Sequence, residues 1–192
     1  MAQTLAYHPD EVAGFSSIPP FGNGEGASTS SLSRKAFNRN HRGYFAIGIE
    51  NAKSSCNVGT LWRSAFIFGA KFIFTIGRRI PKQASNTVKA WRHIPYFRYD
   101  TFEQFYDVLP YDCQLVGIEI DTNSKPIGSF NHPQRSVYLL GAEDSGLSKL
   151  ATEKTQHLVQ LPGNHCLNVS VAGSIVMYDR INKMGYFNND PA

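Results

Sequence analysis

The sequence predicts an α/β fold, a mostly parallel sheet with helices on both faces. Two observations carry this. From Tyr44 onward short apolar runs alternate with amphipathic stretches, the order that builds strand, crossover helix and parallel strand. The runs are also apolar throughout rather than alternating, as strands covered on both faces are. With 192 residues, 42% hydrophobic and 18% charged, the chain has enough apolar material for one core of ordinary size.

Residues 1–42 stand apart as an expected flexible N-terminal tail, because Pro19, Pro20, Gly22, Gly24, Gly26 and a serine-threonine run supply no buried face. The expected domain is 43–192. Within it YFAIGIE (44–50) reads as a buried strand, 58–68 as a helix and KFIFTIG (71–77) as a strand. TFEQFYDVL (101–109) reads as a helix, CQLVGIEI (113–120) and SVYLLG (136–141) as strands, and GLSKLATEK (146–154) as a short helix. HLVQL (157–161) is the last expected strand and 169–185 a long closing helix. Segment 78–99 fits neither period, and a loop of that length in a compact domain is usually functional or disordered.

Charge is more informative in its distribution than in its sum of +4. Between Glu50 and Asp100 there is no carboxylate, while Lys53, Arg63, Lys71, Arg78, Arg79, Lys82, Lys89, Arg92 and Arg98 fall there, with Trp91, Tyr96 and Phe97 among them. This is either a solvated basic face or a one-signed field for a polyanion with stacking surfaces, such as RNA. Arg63, Arg78, Arg79, Lys82, Lys89 and Arg92 are the candidate RNA contacts. Three cysteines without a C-x-x-C pair, Cys56, Cys113 and Cys166, favour a reducing, cytoplasmic setting. No secretory signal or apolar run of membrane-spanning length is expected. The six histidines share no metal-ligand spacing, so no metal site is expected.

Phosphate loops, a G-x-G-x-x-G after a first strand, H-E-x-x-H and G-x-S-x-G are all missing, which removes the usual support for nucleotide hydrolysis, dinucleotide redox, zinc proteolysis and serine hydrolysis. Three strand ends carry the polar chemistry instead. After the first strand comes NVGTLWR, with Asn57 and Gly59 at the turn and Arg63 on the helix, an arrangement that holds a phosphate or is simply an N-cap and a surface arginine. After the fourth expected strand comes LLGAEDSGLS, where Gly141 and Gly146 permit close backbone approach and Glu143 and Asp144 lie beyond the carboxyl end, the usual ligand position in α/β folds. After the fifth comes LPGNHCLNVSVAGS, with Asn168 and Ser170 opening the last helix and Ala172, Gly173 and Ser174 allowing tight packing.

Taken together, in this order and spacing, the three segments resemble the motifs of the SpoU/TrmH-like branch of the SPOUT RNA methyltransferases: N-x-G-x-x-x-R (Asn57 to Arg63), a G-x-E-x-x-G-like turn (Gly141 to Gly146) and a P-x-x-x-x-L-N-V-S-like turn (Pro162 to Ser170). The resemblance covers about residues 44–187. It implies a C-terminal deep trefoil knot, an S-adenosylmethionine cofactor, a homodimer, and methyl transfer to a ribose 2′-hydroxyl of tRNA or rRNA. Carried over by motif position, Leu140, Gly141, Leu161, Gly163, Leu167 and Asn168 would contact the cofactor. Arg63, Asn57, Glu143, Asn168 and Ser170 would form the catalytic site. Cys166 stands where many relatives place a serine, a stronger hydrogen-bond donor than a thiol.

Such a transfer needs positioning more than acid–base machinery, which suits a site without a histidine or a carboxylate pair. A guanidinium is a poor base in proteins, so Arg63 is expected to orient a phosphate and stabilise developing alkoxide charge. The last helix, with Ile175, Met177, Tyr178 and Ile181, is the expected dimer face, unless those residues pack on their own sheet. A SPOUT-fold protein that methylates a base, or one that binds RNA and is catalytically silent, remains as the alternative at this point.

Overall fold

A computed structural model describes residues 43–77, 90 and 93–184. The expected tail 1–42 lies outside the described residues, as do Arg78, Arg79, Lys82, Lys89, Trp91 and Arg92. Seven strands form one sheet: β1 (Tyr44–Glu50), β2 (Ile73–Ile76), β3 (Tyr96–Tyr99), β4 (Gln114–Ile118), β5 (Lys125–Pro126), β6 (Arg135–Leu140) and β7 (His157–Gln160). Their order is β3-β2-β1-β6-β4-β7-β5, and every pairing is parallel. Among the described residues four helices accompany it: α1 (Ser55–Ile67), α2 (Phe102–Asp107), α3 (Lys149–Lys154) and α4 (Val169–Lys183), with a 3-10 turn at Ile127–Ser129.

Both faces of the sheet are covered, which explains the uninterrupted apolar runs. Phe45, Ile47 and Ile49 of β1 and Tyr138 and Leu140 of β6 pack with Val58, Leu61 and Ala65 of α1 and with Val169, Ala172, Val176 and Met177 of α4. On the opposite face Ala46, Phe74, Val137 and Leu139 meet Phe102 and Phe105 of α2 and Ala151 of α3. The α1 and α4 residues follow the three-and-four spacing of a helix with one apolar stripe.

Helix α1 begins at Ser55 rather than 58, because Ser54 is its N-cap and accepts from the Asn57 N–H at 3.4 Å. Asn57 therefore sits inside the first turn, its amide free for other partners. Helix α3 starts at Lys149, after Ser148 caps it by accepting from Ala151 N at 3.2 Å. Strands β3 and β5 are additions to the expected set. Tyr96 of β3 is not a free stacking surface: it packs on Trp62, ring centroids 4.8 Å apart, and shares a 2.6 Å hydrogen bond with Thr75 Oγ1. Phe97 stays exposed.

Helix α4 is anchored at both ends. Gly173 lies so near α1 that a Cβ there would stand 2.5 Å from Leu61 Cδ1, and Ser174 Oγ donates to Ser64 Oγ at 2.8 Å. At its far end Arg180, fully buried, donates to Pro133 O (2.6 Å), Gln134 O (2.9 Å), Ser136 Oγ (3.1 Å) and Tyr138 Oη (3.2 Å). These bonds tie the helix to the start of β6 and offset much of the cost of burying the charge, although Arg180 Nε is left without a hydrogen-bond partner. No helix among the described residues is long and apolar enough to cross a membrane.

Candidate active site

The carboxyl ends of β1, β4, β6 and β7 converge on one side of the sheet, where a parallel sheet presents its loops. Strand β6 ends at Leu140, flanked in register by Ile49 of β1 and Ile118 of β4. Gly141 then leaves the sheet. The loop closes on itself through paired bonds between Ala142 and Gly146, both 3.0 Å. Only glycine fits at two of its positions. A Cβ on Gly141 would lie 2.0 Å from the Gly146 carbonyl carbon, and Gly146 itself has φ +66°.

Within this framework the three polar segments meet. Asn57 Nδ2 donates to Glu143 Oε1 at 2.8 Å, and Asn168 Nδ2 donates to Asn57 Oδ1 at 3.0 Å. Asn168 Oδ1 in turn accepts from Ser170 Oγ at 2.7 Å and from the Ser170 and Val171 N–H groups at 3.0 and 3.4 Å, which makes it the N-cap of α4. The other Glu143 oxygen accepts from Lys53 N at 3.1 Å. Burial alone pushes the Glu143 carboxyl up, but hydrogen bonds from Asn57 and from the N–H groups of Glu143, Lys53 and Ser54 outweigh it and hold the group below its ordinary value. Lys53 Nζ also pairs with Asp144, whose carboxyl that bond draws down.

Beside this network is a cavity of about 260 Å³. Leu140, Gly141, Leu161 and Leu167 line it, as do Glu119, Glu143, Asp144 and Cys166. Gly163 and Asn168 are not among its walls; Asn168 serves the adjoining hydrogen-bond network. Arg63 is exposed on α1, with no hydrogen bond or ion pair to the described residues. Asn57, Glu143, Asn168 and Ser170 are thus brought together and Arg63 is left available to solvent. No group of three or more His, Cys, Asp and Glu placed to hold a metal occurs among the described residues.

Sequence reasoning named Lys53 only as one of nine basic groups and Glu50 only as the edge of a carboxylate-free stretch, and it passed over Glu119. The signal was present: β1 and β4 both run out through the tripeptide Gly-Ile-Glu, at 48–50 and 117–119, so two carboxylates stand at equivalent heights on either side of β6.

Comparison with known proteins defines the class. The fold is shared with AviRb, a SpoU methyltransferase from Streptomyces viridochromogenes solved in complex with the cofactor AdoMet (TM-score 0.65, 21% identity, 74% of this chain and 61% of that one). It is shared equally with the A. aeolicus TrmH/SpoU tRNA modifying enzyme (TM-score 0.67, 16% identity, 81% of this chain and 86% of that one). In sequence the chain is 26% identical over 143 residues to an uncharacterized tRNA/rRNA methyltransferase of Archaeoglobus fulgidus, covering 71% of this chain and 63% of that protein. It thus spans less than two thirds of the length of that relative and of AviRb. Residues 44–178 match the model of the SpoU rRNA Methylase family, and the chain belongs to that family.

Proposed function

We propose that the chain is an S-adenosylmethionine-dependent RNA methyltransferase acting on a ribose 2′-hydroxyl of tRNA or rRNA in the cytoplasm, with residues 43–192 as the methyltransferase domain. The observation that carries this reading is the hydrogen-bonded chain Ser170–Asn168–Asn57–Glu143, which joins three segments separated by up to 111 residues at the rim of one cavity. The cavity's residues fit the cofactor. Leu140, Leu161 and Leu167 offer apolar walls for a ring, and Gly141 leaves backbone where a side chain would intrude. Glu119, Glu143 and Asp144 set a negative field suited to a cationic ligand.

When bound, the cofactor supplies a methyl group on a sulfonium, so the protein's task is to hold an oxygen in line with it. Glu143, fixed by Asn57 and Lys53, keeps the β6 loop against the β1–α1 turn. Asn168 and Ser170 hold the third segment to the same point. Arg63, free of the network, presents a planar donor to an RNA phosphate and stabilises charge developing on the ribose oxygen. The insertion of β6 between β1 and β4, and of β7 between β4 and β5, supports a C-terminal trefoil knot. An exposed apolar stripe on α4, Val171, Ile175 and Tyr178, supports a homodimer face. Met177 and Ile181 do not join that stripe, because both are buried, Met177 in the core with residues of β1 and β6.

The test is transfer of a labelled methyl group to unmodified tRNA and rRNA pools, followed by nuclease digestion and mass spectrometry. A 2′-O-methyl nucleoside is expected with wild type and not with Arg63→Ala, which keeps cofactor binding; a methylated base overturns the ribose assignment. Mixing Arg63→Ala with Asn168→Ala protomers restores activity if sites are shared across a dimer.

A further inference from the structure

We propose that Glu50 and Glu119 are positioning residues, a pair of carboxylates that clamp the backbone leaving β6 and so set the shape of the cofactor cavity. The inference rests on reading that cavity as the S-adenosylmethionine site. Because Ile49 and Ile118 both flank Leu140, the residue after each stands beside the point where Gly141 turns out of the sheet. Each carboxylate takes one of two successive N–H groups on the returning limb of the loop. Glu119 Oε2 accepts from Leu147 N at 2.7 Å, and Glu50 Oε2 accepts from Ser148 N at 2.8 Å. The central strand's loop is therefore gripped from both neighbouring strands.

Three further features belong to the clamp. Glu119 is itself a wall of the cavity, and its Oε1 accepts from Ile120 N at 3.0 Å, which fixes the carboxylate plane. Gly146 is required for the contact, since a Cβ there would stand 2.3 Å from Glu119 Oε2. Gly117, two residues before Glu119, makes room for the Leu147 side chain, whose Cδ1 would lie 2.8 Å from a Cβ at that position. One tripeptide at the end of β4, Gly117 to Glu119, thus supplies both the space for Leu147 and the acceptor for its N–H. Glu50 is almost wholly buried, a placement that carboxylates tolerate only with hydrogen-bond donors at hand.

The clamp is tested on the full chain by calorimetric titration with S-adenosylhomocysteine and by amide hydrogen exchange. Glu119→Ala is expected to weaken binding about tenfold or more, because it leaves the Leu147 N–H without its charged acceptor. Exchange at Leu147 speeds up while amides in the middle of α1 and α4 keep wild-type rates. Glu119→Gln retains one acceptor oxygen without the charge and recovers part of the loss, with exchange at Leu147 nearer the wild-type rate than in Glu119→Ala. Gly146→Ala, which touches neither carboxylate chemically but drives a methyl into Glu119, reproduces the Glu119→Ala phenotype. Glu50→Ala speeds exchange at Ser148. Wild-type affinity in both Glu119→Ala and Gly146→Ala overturns the proposal, and so does faster exchange spread evenly through α1 and α4, the mark of general destabilisation. Failure of the wild-type chain to bind S-adenosylhomocysteine removes the cofactor reading and the clamp's role with it.

Discussion

Asn57 is the side chain that touches both of the other motifs, and replacing it with alanine measures how strongly the site is knit. Two hydrogen bonds are lost, the 2.8 Å bond to the Glu143 carboxylate and the 3.0 Å bond from Asn168. A bond to a charged acceptor contributes about 1.5–3 kcal/mol when sheltered, but Glu143 is exposed, and solvent screening brings this nearer 1 kcal/mol. The neutral bond contributes about 0.5–1 kcal/mol. Alanine regains roughly 0.5 kcal/mol because position 57 is helical, so the expected net loss is about 1 kcal/mol in urea unfolding. Double-mutant cycles remove that propensity effect, and also the loss of the α4 N-cap that Asn168→Ala brings by itself. Coupling of about 0.5–1 kcal/mol is expected for Asn57 with Asn168 and for Asn57 with Glu143. Additivity within about 0.3 kcal/mol in both cycles would refute the claim that the three segments are held as one unit.

Other expectations concern what holds and tunes this unit. Gly173→Ala presses a methyl on Leu61, Leu140 and Ile47, and should lower stability by about 1–2 kcal/mol in spite of better helix propensity; a stabilised variant would count against close α1–α4 packing. Arg180→Met leaves the carbonyls of Pro133 and Gln134 and two hydroxyls without their donor, for an expected loss of about 3 kcal/mol by urea denaturation. The Glu143 carboxyl is held below its ordinary value, so its stabilising effect is full above the unfolded value and fades as pH falls through the folded one. Glu143→Gln should flatten the acid limb of a stability–pH curve below about pH 4.5. His132 is the converse case. Burial lowers its affinity for a proton, so the unfolded chain binds more protons and stability should fall as pH drops below the unfolded value of about 6.5. His132→Gln should reduce that slope between pH 7.5 and 5.5, the remainder coming from His157, whose proton affinity burial also lowers.

Much of this architecture was legible because burial on two faces writes itself into sequence as uninterrupted apolar runs. β1 was expected at 44–50 and is found there, and α4 begins at Val169 as its cap signal indicates. The elements missed are those with weak or no such signature. β3, Tyr-Phe-Arg-Tyr, is a half-exposed edge strand inside the segment 78–99 that fitted neither period, and β5 is two exposed residues, Lys125 and Pro126. Helix starts were misjudged where a serine cap outranked the expected residue, Ser54 at α1 and Ser148 at α3. At the site, motif spacing brought out Asn57, Glu143, Asn168 and Ser170, each short and polar at a strand or helix end. Glu50 and Glu119 were hidden because each, read along the chain, only marks the end of a strand, Glu50 as the last residue of β1 and Glu119 as the residue after β4. Their meaning lies in being on opposite sides of β6, and strand order is not readable from local pattern.

That strand order has a consequence for how the protein is made. β6 is the central ribbon between β1 and β4, and these two do not pair with each other. A nascent chain that has released β1 through β5 therefore holds one three-stranded fragment, β3-β2-β1, with the inner edge of β1 open, and two strands, β4 and β5, without sheet partners; each open edge is a template for wrong pairing. The gap closes only when residues 135–140 arrive, and the cavity only after the segment before α4 has followed. Long-range parallel pairing of this kind is slow to nucleate. The chain should spend its synthesis incompletely folded, and acquire its cavity late.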